Sequence, residues 1–239
     1  MPDRHRPADA ATILASLRVV EQERSRRAGD AALAARVHAI KAYQEARFRH
    51  TYADLLAHPR YGVAARFFLE ELYGPQDFTR RDAQFARVVP ALIRLFPHEV
   101  VETVATLGTL HALSETLDGA MGAVLAEGFV DAARYAMAWQ AVGRREDRRA
   151  QVDLTLEVGR SLDRYTRVPM LALSLRMMRG AARAAGLSEL QTFLERGFDT
   201  FKAMRGASEF LGMVDQREGT LLRELFDDPT AAMAAGRLP

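Results

Sequence analysis

Apolar residues recur three and four positions apart along most of the chain, which is the spacing of one face of an α-helix. The first such segment lies between Asp9 and Gly29 and carries Ile13, Leu17 and Val20 on one face. No segment alternates strictly between apolar and polar positions, as a half-buried strand would. The pattern therefore predicts an all-α protein.

A second, longer segment follows Asp30, which is a suitable N-cap for a helix. Its inward-facing stripe is Leu33, Val37, Ile40, Gln44, Phe48, Tyr52 and Leu55. We expect this helix to continue to His58, since Pro59 cannot extend it, and to span roughly 40 Å at 1.5 Å per residue. Such a length is typical of the backbone of a bundle or of a dimer interface.

Glycine, proline and capping residues divide the rest of the chain into further helices. In the last third, Ser188 begins a capping box (SELQ) and Ser208 is placed to cap the final helix. The remaining predicted helices cover residues 60–73, 79–96, 98–118, 129–143, 147–165, 169–184, 188–205 and 208–226. We therefore predict a compact multi-helix bundle of about eight to ten helices, which can also be read as two packed helical halves.

The domain organisation is predicted from the same glycine, proline and capping residues. We predict a single all-α domain over residues 1–226, with 143–149 as the candidate boundary between two halves. The motif RREDRR within that boundary is interpreted as a solvated turn or helix start. Residues 227–239 have no periodic apolar face and are predicted to be a flexible C-terminal tail.

The composition excludes several kinds of site. The chain has no cysteine, which rules out disulfides, thiolate metal sites, iron–sulfur clusters and a cysteine nucleophile. Glycine-rich phosphate loops and the G-x-S-x-G elbow are also absent. We predict no cofactor and favour a non-catalytic protein, although the enzyme question stays open.

Hydropathy and charge limit the partners. No apolar run approaches the ~18 residues of a membrane span, and the N-terminus lacks the apolar core of a signal peptide, so we expect a cytoplasmic protein with no membrane partner. The formal net charge is +2. The first 60 residues hold 11 Lys and Arg against 7 Asp and Glu. A nucleic-acid-binding domain usually concentrates more positive charge, so we do not expect a nucleic acid partner.

The stretch FFLEELYGPQDFTRRD, residues 67–82, has two interpretations. In the first it is a structural corner, in which a helix stops, a capped helix follows and arginines pair with acids. The residues of this corner are Glu70, Gly74, Pro75, Asp77, Phe78, Arg80, Arg81 and Asp82. In the second, Glu70, Glu71, Asp77 and Asp82 form a carboxylate cluster for a metal or a basic partner, although the two arginines would neutralise it.

The predicted helix over 98–118 turns polar groups toward its apolar side. His111, Ser114, Glu115 and Asp118 continue the stripe of Val104 and the other apolar residues. An unpaired buried polar group costs roughly 1–3 kcal/mol, so these side chains need partners, a water-filled pocket or a solvated helix end.

Two interpretations of this helix remain open. In one, His111 is a satisfied core histidine that donates to a carbonyl or a tyrosine, and the two acids pair with arginines. In the other, His111 and Glu115 are an acid–base pair or weak candidate metal ligands in a pocket, with Glu71 and Tyr73 nearby. The Glu-x-x-His signature of di-iron bundles is absent.

The segments FFLEELYGPQDFTRRD, VVPALIRLFP, LHALSETLD and FKAMRGASEFL resemble an uncharacterised all-helical family of bacterial conserved hypothetical proteins. The resemblance covers nearly the whole chain. It implies an all-α bacterial protein in the cytoplasm and brings no known activity, cofactor or catalytic residue.

Three functions follow from these observations. The leading one is a non-catalytic binding or interaction protein, with a small-molecule ligand between its helices and with itself as partner in a homodimer. The long second helix and the charged end of the first would be the contact surfaces. The alternative is an enzyme or sensor with a buried polar pocket around His111, Glu115 and Asp118. The third is a DNA-binding regulator that uses the basic N-terminal segment.

Overall fold

The computed structural model describes residues 6–71, 78–126 and 128–239, and all regular elements in these ranges are α-helices. Of the thirteen helices described, ten have nine residues or more, in line with the eight to ten predicted. None of the described helices is both long enough and apolar enough to pass through a bilayer. In chain order they are α1 Arg6–Ala28, α2 Ala31–Thr51, α3 Ala53–Ala57, α4 Gly62–Glu71, α5 Thr79–Leu95, α6 His98–Val124, α7 Ala132–Val142, α8 Arg145–Tyr165, α9 Pro169–Met177, α10 Arg179–Ala184, α11 Ser188–Met204, α12 Ser208–Asp227 and α13 Pro229–Ala234.

The second helix is capped as predicted but is shorter than expected. Asp30 accepts a hydrogen bond from the Leu33 amide at 2.9 Å, which satisfies one of the free N–H groups of the first turn. The helix ends at Thr51, and Tyr52 separates it from α3. Tyr52 is fully buried and its hydroxyl donates to Glu218 at 2.7 Å. This contact with α12 fixes Tyr52 at the break between α2 and α3. The apolar stripe predicted for one helix continues from α2 into α3.

The bundle is organised around α6, which packs against α1, α2, α7 and α8. The sequence predicts an end near residue 118, yet the helix continues to Val124. Its two glycines, Gly119 and Gly122, lie where other helices approach closely. A Cβ atom would be 2.5 Å from Glu23 of α1 at the first glycine and 2.5 Å from Val37 of α2 at the second. These glycines therefore permit helix contact and do not end the helix.

The described residues form three apolar clusters in the interior. One joins α1, α5 and α6, and a second joins α2, α6, α7, α12 and the C-terminal residues. The third joins α2, α3, α4, α8, α11 and α12, and includes Phe201, Phe210 and Leu211. Because α2 and α12 belong to two clusters each, the polar side chains between them lie inside the protein.

The two predicted serine caps of the last third do not form. The N-cap of α11 is Leu187 and that of α12 is Ala207, and neither provides a side-chain hydrogen bond. At α12 the amide of Ala207 instead donates to Asp163 of α8 at 3.0 Å. A carboxylate from a neighbouring helix thus replaces the local cap that the serine pattern predicts.

The segment expected to be a flexible tail contains α13, which is capped by Asp228 through the Ala231 amide. Ala232 and Leu238 are buried, and the second cluster includes Leu238. The hydroxyl of Tyr43 also donates to the carbonyl of Pro239 at 3.2 Å. Isolated apolar residues, which have no helical period, are sufficient to hold this segment against α7 and α12.

Candidate functional site

His111 contacts a carboxylate from another helix. Its Nε2 lies 2.9 Å from Oδ2 of Asp82, which also accepts a hydrogen bond from Arg24 of α1 at 2.6 Å. Burial alone would raise the pKa of Asp82, but His111 and Arg24 hold it below its ordinary value. His111 is therefore satisfied by an acid from the first turn of α5, and not by the carbonyl or tyrosine expected.

Glu115 lies between two cations from different helices. Its carboxylate accepts from Arg27 of α1 at 2.6 Å and from Lys41 of α2 at 2.5 Å. The residue is only 5% exposed. Burial would raise the pKa of Glu115, but Lys41 and Arg27 bring it below its ordinary value. This ion triad joins α6 to both N-terminal helices.

The other two polar residues on the predicted inner face of α6, Ser114 and Asp118, are paired with glutamines. Asp118 accepts from Gln44 of α2 at 2.8 Å, and Ser114 accepts from Gln151 of α8 at 2.8 Å. Asp118 is 6% exposed, and burial raises its pKa above the ordinary value. The inward orientation predicted for this face of α6 is thus present, but each polar residue has a different partner.

Replacement of Asp118 with asparagine is expected to be neutral or stabilising above pH 7. The folded-state pKa of Asp118 is raised, so its contribution to stability is greatest below the unfolded value of about 3.9 and declines as pH rises through the folded value. Lys41, Glu115, Gln44 and Arg148 act on this carboxyl group. In urea unfolding, the free energy of unfolding of D118N relative to that of the wild type should therefore be higher at pH 8 than at pH 5. A large loss at pH 8 would contradict this assignment.

The corner residues that the structure describes form a network of ion pairs. Glu71 accepts from Arg81 at 3.1 Å and also pairs with Arg196 of α11, which in turn donates to Glu70 at 2.9 Å. The Arg81 guanidinium lies between the rings of Phe78 and Phe193, at 4.0 and 4.3 Å from their centroids. These contacts favour the structural interpretation of the corner.

Of the other corner residues, some form further ion pairs and the rest lie outside the described residues. Arg80 pairs with Glu189 at 3.2 Å, close to the start of α11. Asp82 connects the corner to His111, since Nε of Arg81 lies 4.0 Å from its Oδ1. Tyr73, Gly74, Pro75 and Asp77 lie outside the described residues.

The described residues do not support the metal hypothesis for His111 and Glu115. Within residues 6–71, 78–126 and 128–239, no three acidic or histidine side chains come together in a way that could hold a metal ion. The two candidates are one helical turn apart, yet one binds Asp82 and the other binds Arg27 and Lys41. Cationic side chains thus occupy the position beside Glu115 that a metal would need, and His111 faces a different partner.

A polar cavity lies one layer beyond this face of α6, between α2, α7, α8 and α12. Its volume is about 50 Å³. Its lining residues are Gln44, Arg47, Tyr135, Trp139, Arg148, Gln151, Val152, Thr155, Val214, Glu218, Leu221 and Leu222. Gln44 and Gln151 belong to this wall and are the hydrogen-bond partners of Asp118 and Ser114. The predicted pocket residues Asp118 and Ser114 therefore contact lining residues but do not line the cavity themselves.

Arg148 is the least satisfied charged group of the cavity wall. It is only 2% exposed, and its pKa is lowered by burial. Its NH1 donates to Gln151 at a long 3.3 Å, its NH2 contacts the sulfur of Met121 at 2.8 Å, and its Nε has no hydrogen-bond partner among the described residues. Its guanidinium carbon lies 3.9 Å from the centroid of the Trp139 ring. Among the described residues no salt bridge joins Arg148 to a carboxylate, although the charge of Asp118 acts on it.

Trp139 adds a second buried donor to the same wall. Its indole Nε1 is buried and has no hydrogen-bond acceptor within the part of the chain that the structure describes. By contrast, Arg47 is neutralised by Glu218 at 2.6 Å, and the same oxygen accepts from Tyr52. The wall therefore combines Arg47, which is ion-paired, with Arg148, which has no direct ion pair among the described residues.

Sequence reasoning missed this cavity because Arg148 belongs to RREDRR, which was interpreted as solvated. The helical period offers a signal that could have found it. Counting back from the buried Leu156 in steps of four leads through Val152 to Arg148, which places this arginine on the buried face of α8. Gln44 was already in the predicted inward stripe of α2.

Residues 23–232 match the family described as a domain of unknown function (DUF8198). The chain belongs to this family. The match spans most of the chain and agrees with the all-helical, uncharacterised family that the motifs resemble. No curated protein and no solved structure matches this DUF8198 chain significantly.

Proposed function

We propose that this DUF8198 protein is a non-catalytic binding protein whose small ligand occupies the polar cavity between α2, α7, α8 and α12. The observation that carries the proposal is Arg148, a buried guanidinium on the cavity wall that has no direct ion pair among the described residues. An uncompensated buried charge is costly, and a bound ligand would remove that cost.

The chemistry of the wall favours binding over catalysis. Arginine stays protonated, and tryptophan and glutamine side chains do not ionise near neutral pH. The titratable groups on the wall are Tyr135, whose pKa is raised by burial, and Glu218, which is held by Arg47 and Tyr52. Neither has the free, poised character of a general acid or base.

The alternative of an enzyme or sensor pocket around His111, Glu115 and Asp118 has less support. Each of these side chains is engaged by a protein partner at 2.9 Å or less. An enzyme would have to break one of these contacts before the group could act on a substrate.

The structure also weighs against a DNA-binding regulator. Several basic residues of the N-terminal segment are directed inward, where Arg24, Arg27, Lys41 and Arg47 form ion pairs with acids on other helices. Cations that neutralise protein carboxylates contribute little to phosphate binding. Much of the positive charge of this segment is therefore neutralised by carboxylates inside the protein.

The binding proposal is tested by screening a library of small polar metabolites for an increase in melting temperature. The control is Thr155→Leu, which extends an aliphatic side chain from the cavity wall into the space. We expect at least one compound to stabilise the wild type, since a ligand at 100 times its dissociation constant adds about 2.7 kcal/mol, and to have a much smaller effect on T155L. If no compound distinguishes the two proteins, the cavity is not a binding site.

The predicted homodimer and the cytoplasmic location stay predictions. The exposed apolar side chains Met170, Leu173 and Met177 follow one face of α9, which makes this face a more apolar candidate interface than α2. We expect wild-type protein to elute as a dimer in size-exclusion chromatography with light scattering, and L173E to elute as a monomer. Glu substitution of the exposed Ala42 of α2 is the control and should leave the dimer intact.

A further inference from the structure

We propose that the ligand of this cavity is a small monocarboxylate of roughly three or four heavy atoms, held by Arg148 and Trp139. This inference rests on the proposed binding function and adds the chemical class of the ligand. Four properties of the cavity support it: its donors, its charge, its geometry and its size.

The unsatisfied groups on the wall are donors. Arginine and tryptophan side chains have no acceptor atom, and Nε of Arg148 and Nε1 of Trp139 are both buried without a partner in the described residues. The one oxygen that Arg148 does contact, on Gln151, is 3.3 Å away. The missing partner must therefore supply acceptor oxygens.

The charge of the wall favours a single negative charge. Arg47 and Arg148 are positive and Glu218 is negative, which leaves a formal charge of +1 on the lining residues. Asp118 lies behind the wall, and burial raises its pKa, which shifts it toward the neutral form and weakens its compensation of Arg148. One monoanion would neutralise the lining, whereas a dianion would leave an excess negative charge in the interior.

The shape of the free donors suits a planar carboxylate. The edge of Arg148 formed by Nε and NH2 has no oxygen acceptor among the described residues, since NH2 contacts only the thioether of Met121. Nε of Arg148 has almost no accessible surface, so the guanidinium must turn toward the cavity before a carboxylate can accept two parallel hydrogen bonds from this edge. Such bidentate pairing is stronger than a bond to a neutral acceptor. A cation–π contact with the Trp139 ring also holds the guanidinium at this wall.

The volume limits the ligand to a small molecule. A cavity needs about 10–15 Å³ for each water-sized group, so about 50 Å³ has room for roughly three or four such groups. Formate and acetate meet this limit, and propionate exceeds it slightly. The apolar side chains of Val152, Val214 and Leu222 on the same wall can accept a methyl group, which favours acetate over formate.

The single tryptophan of the chain makes the inference directly testable, since Trp139 lines the cavity. We would titrate the full-length protein with sodium acetate at pH 7 and follow tryptophan fluorescence, with sodium chloride added to keep the ionic strength constant. Acetamide is the neutral control of similar shape. We expect a saturable change with acetate, no saturation with acetamide, and an affinity for acetate reduced about tenfold or more in R148K, which keeps the charge but loses the planar fork.

Melting temperature provides an independent readout for the variants. Acetate is expected to raise the melting temperature of the wild type, to raise it less in Trp139→Phe, which lacks the indole donor, and to leave Arg148→Met unchanged. Circular dichroism establishes that each variant is folded, and W139F serves if R148M does not fold. Equal binding of acetate by wild type and by the folded R148M or W139F variants would overturn the inference.

The same titrations separate this inference from the binding function on which it rests. If acetamide binds as tightly as acetate, or if chloride alone saturates the signal, the carboxylate assignment is wrong. If library compounds other than carboxylates stabilise the wild type over T155L, the binding function stands and the carboxylate assignment fails. If neither acetate nor any library compound acts on the wild type, both proposals fail and water occupies the cavity.

Discussion

Replacement of Glu115 with glutamine is expected to lower the free energy of unfolding by about 3–5 kcal/mol, since it leaves buried cations without their counter-charge. Arg27 and Lys41 both point at this carboxylate, at 2.6 and 2.5 Å. Glutamine has nearly the same shape, so the loss would come from charge and not from packing. Urea unfolding followed by circular dichroism at pH 7 measures the difference directly.

The matched control is Asp118→Asn, one turn further along α6 and equally buried. Its carboxyl group has a raised pKa and a neutral partner, Gln44, so loss of the charge should cost little. A ranking in which D118N is as damaging as E115Q would show that burial, and not ion pairing, decides the outcome at these positions.

The pH dependence gives a second check on Glu115. Its folded-state pKa is below the ordinary value, so its stabilising contribution is present above the unfolded pKa of about 4.3 and is lost as pH falls through the folded value. The difference between wild type and E115Q should therefore be full at pH 6–7 and shrink below pH 4. A difference that stays constant over this range would contradict the ion triad.

The sequence predicts the inward face of α6 because a helical period fixes which residues share a side. His111, Ser114, Glu115 and Asp118 lie on the inner side for that reason, and their polarity already indicates that they need partners. The partners come from α1, α2, α5 and α8, between 29 and 88 residues away in the chain. Such pairings depend on tertiary packing, which spacing within one helix does not contain.

The predictions that were wrong share one cause, which is that they considered only neighbouring residues in the sequence. The run RREDRR is dominated by charge, so Arg148 was assigned to solvent although the stripe of α8 places it inside. The sequence predicts that α6 ends near residue 118, whereas Gly119 and Gly122 lie inside the helix and accommodate α1 and α2. In each case a residue that is unfavourable by local rules is explained by a neighbour from a distant part of the chain, and the cavity arises from several such neighbours.

A steric test of this packing is Gly122→Val, which is expected to lower the free energy of unfolding by about 3 kcal/mol. A Cβ at this position would lie 2.5 Å from Cγ2 of Val37 and 3.3 Å from its backbone nitrogen. The backbone atom cannot move without shifting α2, so the strain is not relieved by one side-chain rotation. G122A should show a smaller loss in the same urea unfolding experiment.

The control for this substitution is Gly212 in α12, where an added Cβ meets nothing within 4 Å. Since glycine weakens a helix interior by about 0.5–1 kcal/mol relative to alanine, G212A should be stabilising and G212V close to neutral. If G122V and G212V behave alike, the close contact between α6 and α2 is not formed. Because Gly122 follows Met121, whose sulfur contacts Arg148, displacement of α6 in G122V should also weaken the response of Trp139 to acetate.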